Sequence, residues 1–457
     1  MRAIHILGLG LVLGADAATP NIIFIYTDDM GWTGTSVEMI KGNPKSKSDF
    51  YRTPNLGKLA GKGMVFSQAY SPGSLCTPSR ASVLTGKTPA ELHITTPGGG
   101  RSDNSRLLTT PQIAQGLPAD VPTIGTLLKE AGYATALLGK WHIGRNSNAG
   151  EHGFDVHDGA TDNNPNSAPE DPKEIFSITE RAVEFIQKHH TAGSPFYLQL
   201  SHYAVHSPVE TRPESLAKFK KLPSGGLHIE TDYAGMTWDL DESIGLIFLA
   251  VERLKIADNT YIVFMSDNGA GGNRRLPNNT PLNAGKGSLY EGGIRVPLII
   301  VGPGIQAGYC HTAVTGTDLL ATFAQWADVT DIGTNESVSL QPLLKKDEKK
   351  FERPKPLLFH YPHYGQGPQQ KPQSAIISNH WKLLKDWETG SYHLFNLTED
   401  LGEKEDRSKS NPDKLQEMVS LLDLRLKMTD AQLPSPNPDY DPDAVPQRGK
   451  RSSRKRN

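Results

Sequence analysis

Asn21-Ile22-Ile23-Phe24-Ile25-Tyr26-Thr27-Asp28-Asp29-Met30-Gly31 sets a run of β-prone, mostly apolar residues directly against two adjacent carboxylates. An unbroken apolar run of this length reads as a strand buried on both faces. Four more such runs follow: ATALLG (134–139), FYLQLS (196–201), TYIVFMS (260–266) and VPLIIVG (296–302). Helical patterns lie between them. VPTIGTLLKEAG (121–132) follows a proline and ends in glycine. FSITERAVEFIQKHH (176–190) places Ile178, Val183, Phe185 and Ile186 near one face. The segment 233–259 spaces Met236, Leu240, Ile244, Ile247, Phe248, Val251 and Leu254 at helical intervals. Strand alternating with helix predicts an α/β fold, a large, mostly parallel sheet sandwiched by helices. In such sheets ligands bind at the carboxyl ends of the strands, so the chemistry is expected just after these runs.

The rest of the chain fits a globular protein. Of 457 residues, 37% are hydrophobic and 21% charged, which excludes a disordered chain. The net charge of −2 calls for no nucleic-acid partner. Residues 1–18, MRAIHILGLGLVLGADAA, begin with Arg2, continue through the mostly apolar Ile4–Leu13 and reach the small-x-small Ala15-Asp16-Ala17. This is the pattern of a signal peptide and predicts export to the periplasm or exterior. The apolar run is too short to cross a bilayer as a helix, so no stable membrane insertion is expected. Cys76 and Cys310 are the two cysteines, too few for a disulfide framework, although one bridge between them is open. The charged, proline-bearing KKDEKKFERPKP (345–356) marks a boundary. It separates a catalytic domain at 19–345 from a C-terminal subdomain at 346–433, where SAIISNHWKLLKDW and SYHLFNLTED read as strands of a small antiparallel sheet. Residues 434–457 are rich in Pro and Asp, then basic, and read as a disordered tail.

The strand ends carry the expected chemistry. One run delivers Asp28 and Asp29, another Asp267 and Asn268. A lone Asp at a strand end is most simply a helix cap. Three carboxylates and an amide at one sheet edge instead suit a hard divalent cation, Ca²⁺ or Mg²⁺. ATALLG leads to Lys140 and His142, two residues apart and so on one face of an extended chain. FYLQLS leads to His202 and His206, and Lys286 lies in the glycine-rich NAGKGSLYEGG (283–293). In Cys76-Thr77-Pro78-Ser79-Arg80, Thr77 and Pro78 read as N-cap and first residue of a helix that runs to Gly86. Cys76 then sits at the positive end of that helix with Arg80 close by, where an anion is favoured. A cation site with lysines, arginine and histidines around an anion pocket points to hydrolysis of a sulfate or phosphate ester. A thiolate nucleophile is the plain reading of Cys76, yet a hard cation prefers oxygen.

These motifs resemble those of the formylglycine-dependent (type I) sulfatases of the alkaline phosphatase superfamily. Cys76-Thr77-Pro78-Ser79-Arg80 with Leu84-Thr85-Gly86 has the form C-x-P-S-R-x-x-x-L-T-G. Asp28-Asp29-Met30-Gly31, Gly139-Lys140-Trp141-His142, Ser266-Asp267-Asn268-Gly269, Gly285-Lys286-Gly287 and Glu291-Gly292-Gly293 follow the family's order and spacing. The resemblance implies an alkaline phosphatase-like fold with a mixed sheet and a four-stranded C-terminal sheet. It also implies that a separate maturation enzyme oxidises Cys76 to Cα-formylglycine, whose hydrate attacks sulfur through one hydroxyl and expels sulfate through the other. The roles carried over are Ca²⁺ ligation by Asp28, Asp29, Asp267, Asn268 and the modified Cys76, and support of the diol by Arg80 and His142. Lys140 and Lys286 would bind sulfate oxygens, and His206 would protonate the leaving alcohol.

Two departures from the family pattern stand out: Gly57 where an Asp is usual, and an irregular Thr35–Tyr51. His360-Tyr361-Pro362-His363-Tyr364 resembles a segment of carbohydrate-directed members, which makes His360 and His363 candidate sugar contacts, with aromatic packing an equal alternative. The expected activity is hydrolysis of sulfate monoesters on a sulfated carbohydrate. The alternatives are a phosphodiesterase or phosphonate monoester hydrolase of the same superfamily, and a carbohydrate binder without catalysis.

Overall fold

The computed structural model describes residues 19–98, 103–144, 146–271, 279–365 and 369–444. The expected signal peptide, residues 1–18, lies outside them. Eight strands form the main sheet: β1 (Asn21–Thr27), β2 (Met64–Phe66), β3 (Ala134–Gly139), β4 (Val156–His157), β5 (Phe196–Ser201), β6 (Thr260–Ser266), β7 (Leu298–Val301) and β8 (Gly308–Cys310). Their order is β8-β2-β7-β6-β1-β5-β3-β4. β1 lies between β5 and β6, parallel to both, with Ile25 opposite Leu200 and Phe264. β7, the run VPLIIVG, is antiparallel to β6 and β2 and makes the sheet mixed.

Every residue of β1 is buried, and the period of two explains how. Ile23 and Ile25 join Leu198, Leu200 and Phe264 in one core, covered by the helices Ile175–Ala192 and Thr231–Arg253. Ile22, Phe24 and Tyr26 join Tyr197, Val263 and Met265 in the core on the other face, beneath the helices Cys76–Thr85, Ile124–Glu130 and Asp318–Trp326. The long helix turns Met236, Leu240, Ile244, Ile247 and Val251 inward, as its spacing predicts. Phe24 is wholly buried, so Phe24→Ala removes about 3–5 kcal/mol of stability.

The second sheet is antiparallel, with β9 (Leu357–Tyr361), β10 (Gln373–Ser378), β11 (Trp381–Asp386) and β12 (Tyr392–Asn396) in sequence order. Alternation divides its residues. Phe359, Ala375, Ile377, Leu384 and Phe395 pack on Tyr70, Leu289 and Ile294. Leu358, Ile376, Leu383 and Leu394 are covered by Met418, Leu422 and Leu426 of the helix Pro412–Met428.

The tail reading needs a correction. Ser435–Pro436 pairs with Leu108–Thr109 in a short antiparallel ladder. Asn437 Nδ2 donates to the carbonyls of Asp103 and Arg106 at 3.0 and 2.8 Å, and the Asp441 amide donates to Asn104 O at 2.7 Å. Backbone pairing with a distant loop orders this stretch, which composition alone cannot anticipate. Residues 445–457, with the basic cluster, lie outside the described residues.

Candidate active site

β1 and β6 run parallel with Thr27 opposite Ser266, so the residues that follow each strand arrive together. The Asp267 amide donates to Thr27 O at 3.0 Å, and the Asp29 amide to Asp267 Oδ1 at 3.1 Å. Asn268 Nδ2 donates to Asp29 Oδ1 at 2.7 Å. Asp29 turns out of the strand with φ of 59°, a left-handed conformation that Asp tolerates better than most residues. Glycines allow the opposing loop to close in: a Cβ on Gly269 would stand 1.8 Å from Gly292 O.

Every residue of the helix Cys76–Thr85 is buried. Its start differs from the reading above. Leu75 is the N-cap and Cys76 the first helical residue, while the Thr77 hydroxyl donates to His142 O at 2.7 Å. A tertiary acceptor takes the hydroxyl that local sequence assigned to capping. Pro78 is still in the first turn, where its missing N–H leaves no intrahelical bond unmade. Gly86 ends the helix with φ of 67°.

The structure brings the predicted catalytic and metal residues together. Cys76 Sγ lies 3.3 Å from Asp28 Oδ1, 3.9 Å from Asp29 Oδ1 and 3.4 Å from Lys286 Nζ. Arg80 reaches Asp267 Oδ2 through Nε at 3.0 Å and a terminal nitrogen at 2.8 Å, and donates to Lys140 O at 3.0 Å. Lys140 pairs with Asp28. Lys286 Nζ lies 2.6 Å from Asp29 Oδ1, and His206 Nε2 lies 3.7 Å from Asp29 Oδ2. The His142 amide donates to Thr161 O at 2.8 Å. An apolar groove of about 660 Å³ between the helices Pro54–Lys62 and Thr231–Arg253 contains none of these residues.

Charge balance explains the protonation states. Burial would push Asp28 up, but Lys140, His206 and Arg80 hold it well below the usual carboxylate range. Burial, reinforced by Asp28, pushes Asp267 up to about 7. Burial, with Asp267 and Asp28, keeps the Cys76 thiol well above its ordinary value and therefore neutral. Burial and Lys140 lower His142 to about 2. Burial lowers His206 as well, with Asp28 and Asp29 opposing.

Asp28, Asp29, Cys76 and Asp267 offer ligand atoms all within 4.8 Å of one another. Among the described residues, the buried Asn268 Oδ1 has no hydrogen-bond partner. A set dominated by carboxylate and amide oxygens fits a hard divalent cation.

Other residues fall elsewhere. His360 bonds Ser374 Oγ at 2.7 Å and Gln432 O at 3.0 Å, and burial lowers it to about 4. Both its ring nitrogens are used inside the subdomain, so its reading as a sugar contact is corrected to packing. His363, also buried, bonds Thr95 Oγ1 at 2.7 Å. Neither bonds a residue of the cluster. Cys76 and Cys310 are both free. Gly57 is exposed on the helix Pro54–Lys62, with open space where a Cβ would stand. The irregular Thr35–Tyr51 ends in Tyr51, whose ring packs 5.1 Å from that of Tyr233, and the Tyr233 hydroxyl donates to Asp29 O at 3.4 Å. Tyr233, Thr161 and Gln370, which donates to Lys286 O at 2.7 Å, support the site without any motif to announce them.

Comparison with known proteins agrees with this geometry. The family profile Sulfatase matches residues 20–329, and the profile of the C-terminal part of N-sulphoglucosamine sulphohydrolase matches 285–432. The N-acetylgalactosamine-6-sulfatase of Mus musculus is 33% identical over 69% of this chain and 64% of its own length. The chain thus spans just under two thirds of that relative. A protein of Formosa agariphila named sulfatase is 29% identical over 90% of this chain and 87% of its own. The crystal structure of Ps i-CgsB in complex with k-i-k-neocarrahexaose superposes with a TM-score of 0.74 at 30% identity, covering 91% of this chain and 94% of that one. By fold, site and sequence, the chain belongs to the sulfatase family of the alkaline phosphatase superfamily.

Proposed function

We propose that this protein is a sulfuric ester hydrolase that removes sulfate from a sulfated carbohydrate, using a formylglycine made from Cys76 and a Ca²⁺ held by Asp28, Asp29, Asp267, Asn268 and residue 76. The observation that carries the reading is the convergence of Asp28, Asp29, Cys76 and Asp267 within 4.8 Å, ringed by Arg80, Lys140 and Lys286. The carbohydrate is supported by the glycan-bound neighbour and by the N-acetylgalactosamine-6-sulfatase relative. On this reading the catalytic domain is 19–345, the C-terminal subdomain is 346–433, and the chain is exported. No helix among the described residues is long and apolar enough to cross a membrane.

Ca²⁺, when bound, supplies Lewis acidity that polarises the reacting oxygens. The hydrated aldehyde, made by a separate maturation enzyme, replaces a thiol that burial holds neutral with a hydroxyl nucleophile. Lys140 and Lys286 bind the sulfate oxygens and meet the charge that grows on them as the S–O bond breaks. Arg80, fixed on Asp267 and Lys140 O, orients residue 76 from one side; His142 stays neutral and lends a hydrogen bond. His206, facing Asp29, delivers a proton to the leaving alcohol.

A sulfate-release screen over sulfated sugars with defined ester positions, with peptide mass spectrometry of residue 76, tests the reading. Sulfate release by protein carrying an aldehyde at residue 76 is expected. Full activity with an intact thiol would sink the formylglycine assignment. Faster turnover of phosphodiesters or phosphonate monoesters than of any sulfate ester would move the protein to that side of the superfamily.

A further inference from the structure

Where β1 and β6 end, side chains take over from the backbone ladder. The Asp267 amide still donates to a backbone oxygen, Thr27 O, at 3.0 Å. Asp29 then turns out of the strand with φ of 59°, and the next two amides need other acceptors. The Asp29 amide goes to Asp267 Oδ1 at 3.1 Å, and the Met30 amide goes to Ser266 Oγ at 2.9 Å. Met30 and Ser266 are both wholly buried, so no solvent can replace that acceptor.

The Ser266 hydroxyl uses both of its hydrogen-bonding functions. A backbone N–H can only donate and a carbonyl can only accept, so Oγ accepts from Met30 and donates to Asn268 O at 3.1 Å. A serine that only closed its own turn would reach Asn268 O and stop there. Ser266 also reaches the loop after β1, and thereby ties together the two loops that carry Asp28 and Asp29 on one side and Asp267 and Asn268 on the other. The Asn268 side chain completes the link. Its Nδ2 donates to Asp29 Oδ1 at 2.7 Å and to Gly269 O at 3.0 Å. Its Oδ1 is left buried without a hydrogen-bond partner, beside ligand atoms of Asp28, Asp29, Cys76 and Asp267 that lie within 4.8 Å of one another. A buried amide oxygen in that state calls for a ligand.

We infer that Ser266 is a positioning residue for the divalent cation: it ligates nothing itself, but fixes the spacing of the two ligand loops so that Asn268 Oδ1 and the carboxylates face one ion. The inference rests on the cation part of the proposed function and adds to it a residue with no charge. Without the hydroxyl every ligand remains, but the Met30 amide loses its acceptor and the Asn268 carbonyl loses its donor. Holding the ligands in place then falls to the cation, which binds more weakly as a result.

The test titrates metal-stripped full-length protein with Ca²⁺ by calorimetry and measures its metal-free stability in urea. Ser266→Ala is expected to raise the dissociation constant about tenfold or more, the scale of losing a group that orients a metal ligand. Ser266→Cys keeps the size but only a weak donor and acceptor, and is expected to lie between Ser266→Ala and wild type; it carries the test if Ser266→Ala does not fold. Thr135→Val is the structural control. It removes a buried hydroxyl of β3 that donates to Gly153 O at 2.7 Å, away from the ligand loops. It is expected to lower stability in urea and keep the wild-type affinity. Ca²⁺ binding as tight in both Ser266 variants as in wild type would overturn the inference, and so would an equal loss of affinity in Thr135→Val. Asp267→Asn separates this from failure of the cation reading. If wild type binds no Ca²⁺, or binds it no better than Asp267→Asn does, the cation reading itself is overturned and the inference with it.

Discussion

At the carboxyl edge of the main sheet, Asp28, Asp29 and Asp267 face Arg80, Lys140 and Lys286. Behind the second sheet, Glu291 and Glu403 face Lys382 and Arg295. Both clusters are buried and both balance their charge. In the second, Lys382 Nζ lies 2.9 Å from Glu291 Oε1 and 2.8 Å from Glu403 Oε1, and Arg295 lies 3.1 Å from Glu291 Oε2. The Glu291 amide donates to Glu403 Oε2 at 2.7 Å, and the Tyr70 hydroxyl to Glu291 Oε2 at 3.0 Å. Partners close this cluster, and it joins β11 to the loop that carries Lys286. The first cluster instead gathers its oxygens around Cys76 and leaves Asn268 Oδ1 unmet. Both clusters pair their carboxylates with cations; what separates them is that the first also brings the ligand atoms of Asp28, Asp29, Cys76 and Asp267 within 4.8 Å of one another.

The largest expected effect lies on the catalytic side. Cys76→Ala is expected to lower sulfate release by about 10⁴-fold or more while the melting temperature barely moves. Retained turnover would break the comparison. Lys382→Met is expected to do the reverse, removing about 3–5 kcal/mol of stability in denaturant titrations, because it leaves the buried Glu403 without a cation and takes one of two from Glu291. A matching collapse of kcat in the molecules that stay folded would mean that this cluster also positions Lys286.

A pH titration sharpens the distinction. Burial, partly offset by Lys382, pushes Glu403 up to about 7 from its ordinary value of 4.5. An acid raised on folding binds its proton more tightly in the native state. Its contribution to stability is therefore complete below about 4.5 and disappears as pH rises through about 7. Glu403→Gln is expected to flatten that slope, which amounts to about 3 kcal/mol at most; an unchanged slope would assign it to other groups. Finally, Ca²⁺ added to metal-stripped protein is expected to stabilise it by about 2.7 kcal/mol at a hundredfold excess over its dissociation constant. Asp267→Asn is expected to lose most of that shift, and Lys382→Gln to keep it. An equal shift in both variants would place the cation elsewhere.

Much of the fold was legible because its signals are local. Five apolar runs became strands of the main sheet, and the helical spacing of Met236 to Val251 became one buried face. The acidic pairs were legible as well, since strand ends in such a sheet converge by geometry. His360 and His206 show the limit. Each stands at or just after a strand among aromatic residues, yet only His206 faces the carboxylates, while His360 is saturated by Ser374 and Gln432.

Sequence alone nominated the residues proposed to carry the chemistry, because apolar run length, strand-end carboxylates and the Cys-Thr-Pro-Ser-Arg motif are properties of short segments. Tertiary structure decided which charges are spent on each other and which remain for a ligand. Lys382 and Lys140 are both buried lysines. One lies between two glutamates in a closed cluster and the other meets Asp28 beside Cys76, and the residues that make the difference lie far from them in the chain. Electrostatic pairing acts through space over a few ångströms, so only the packed chain could tell the two apart.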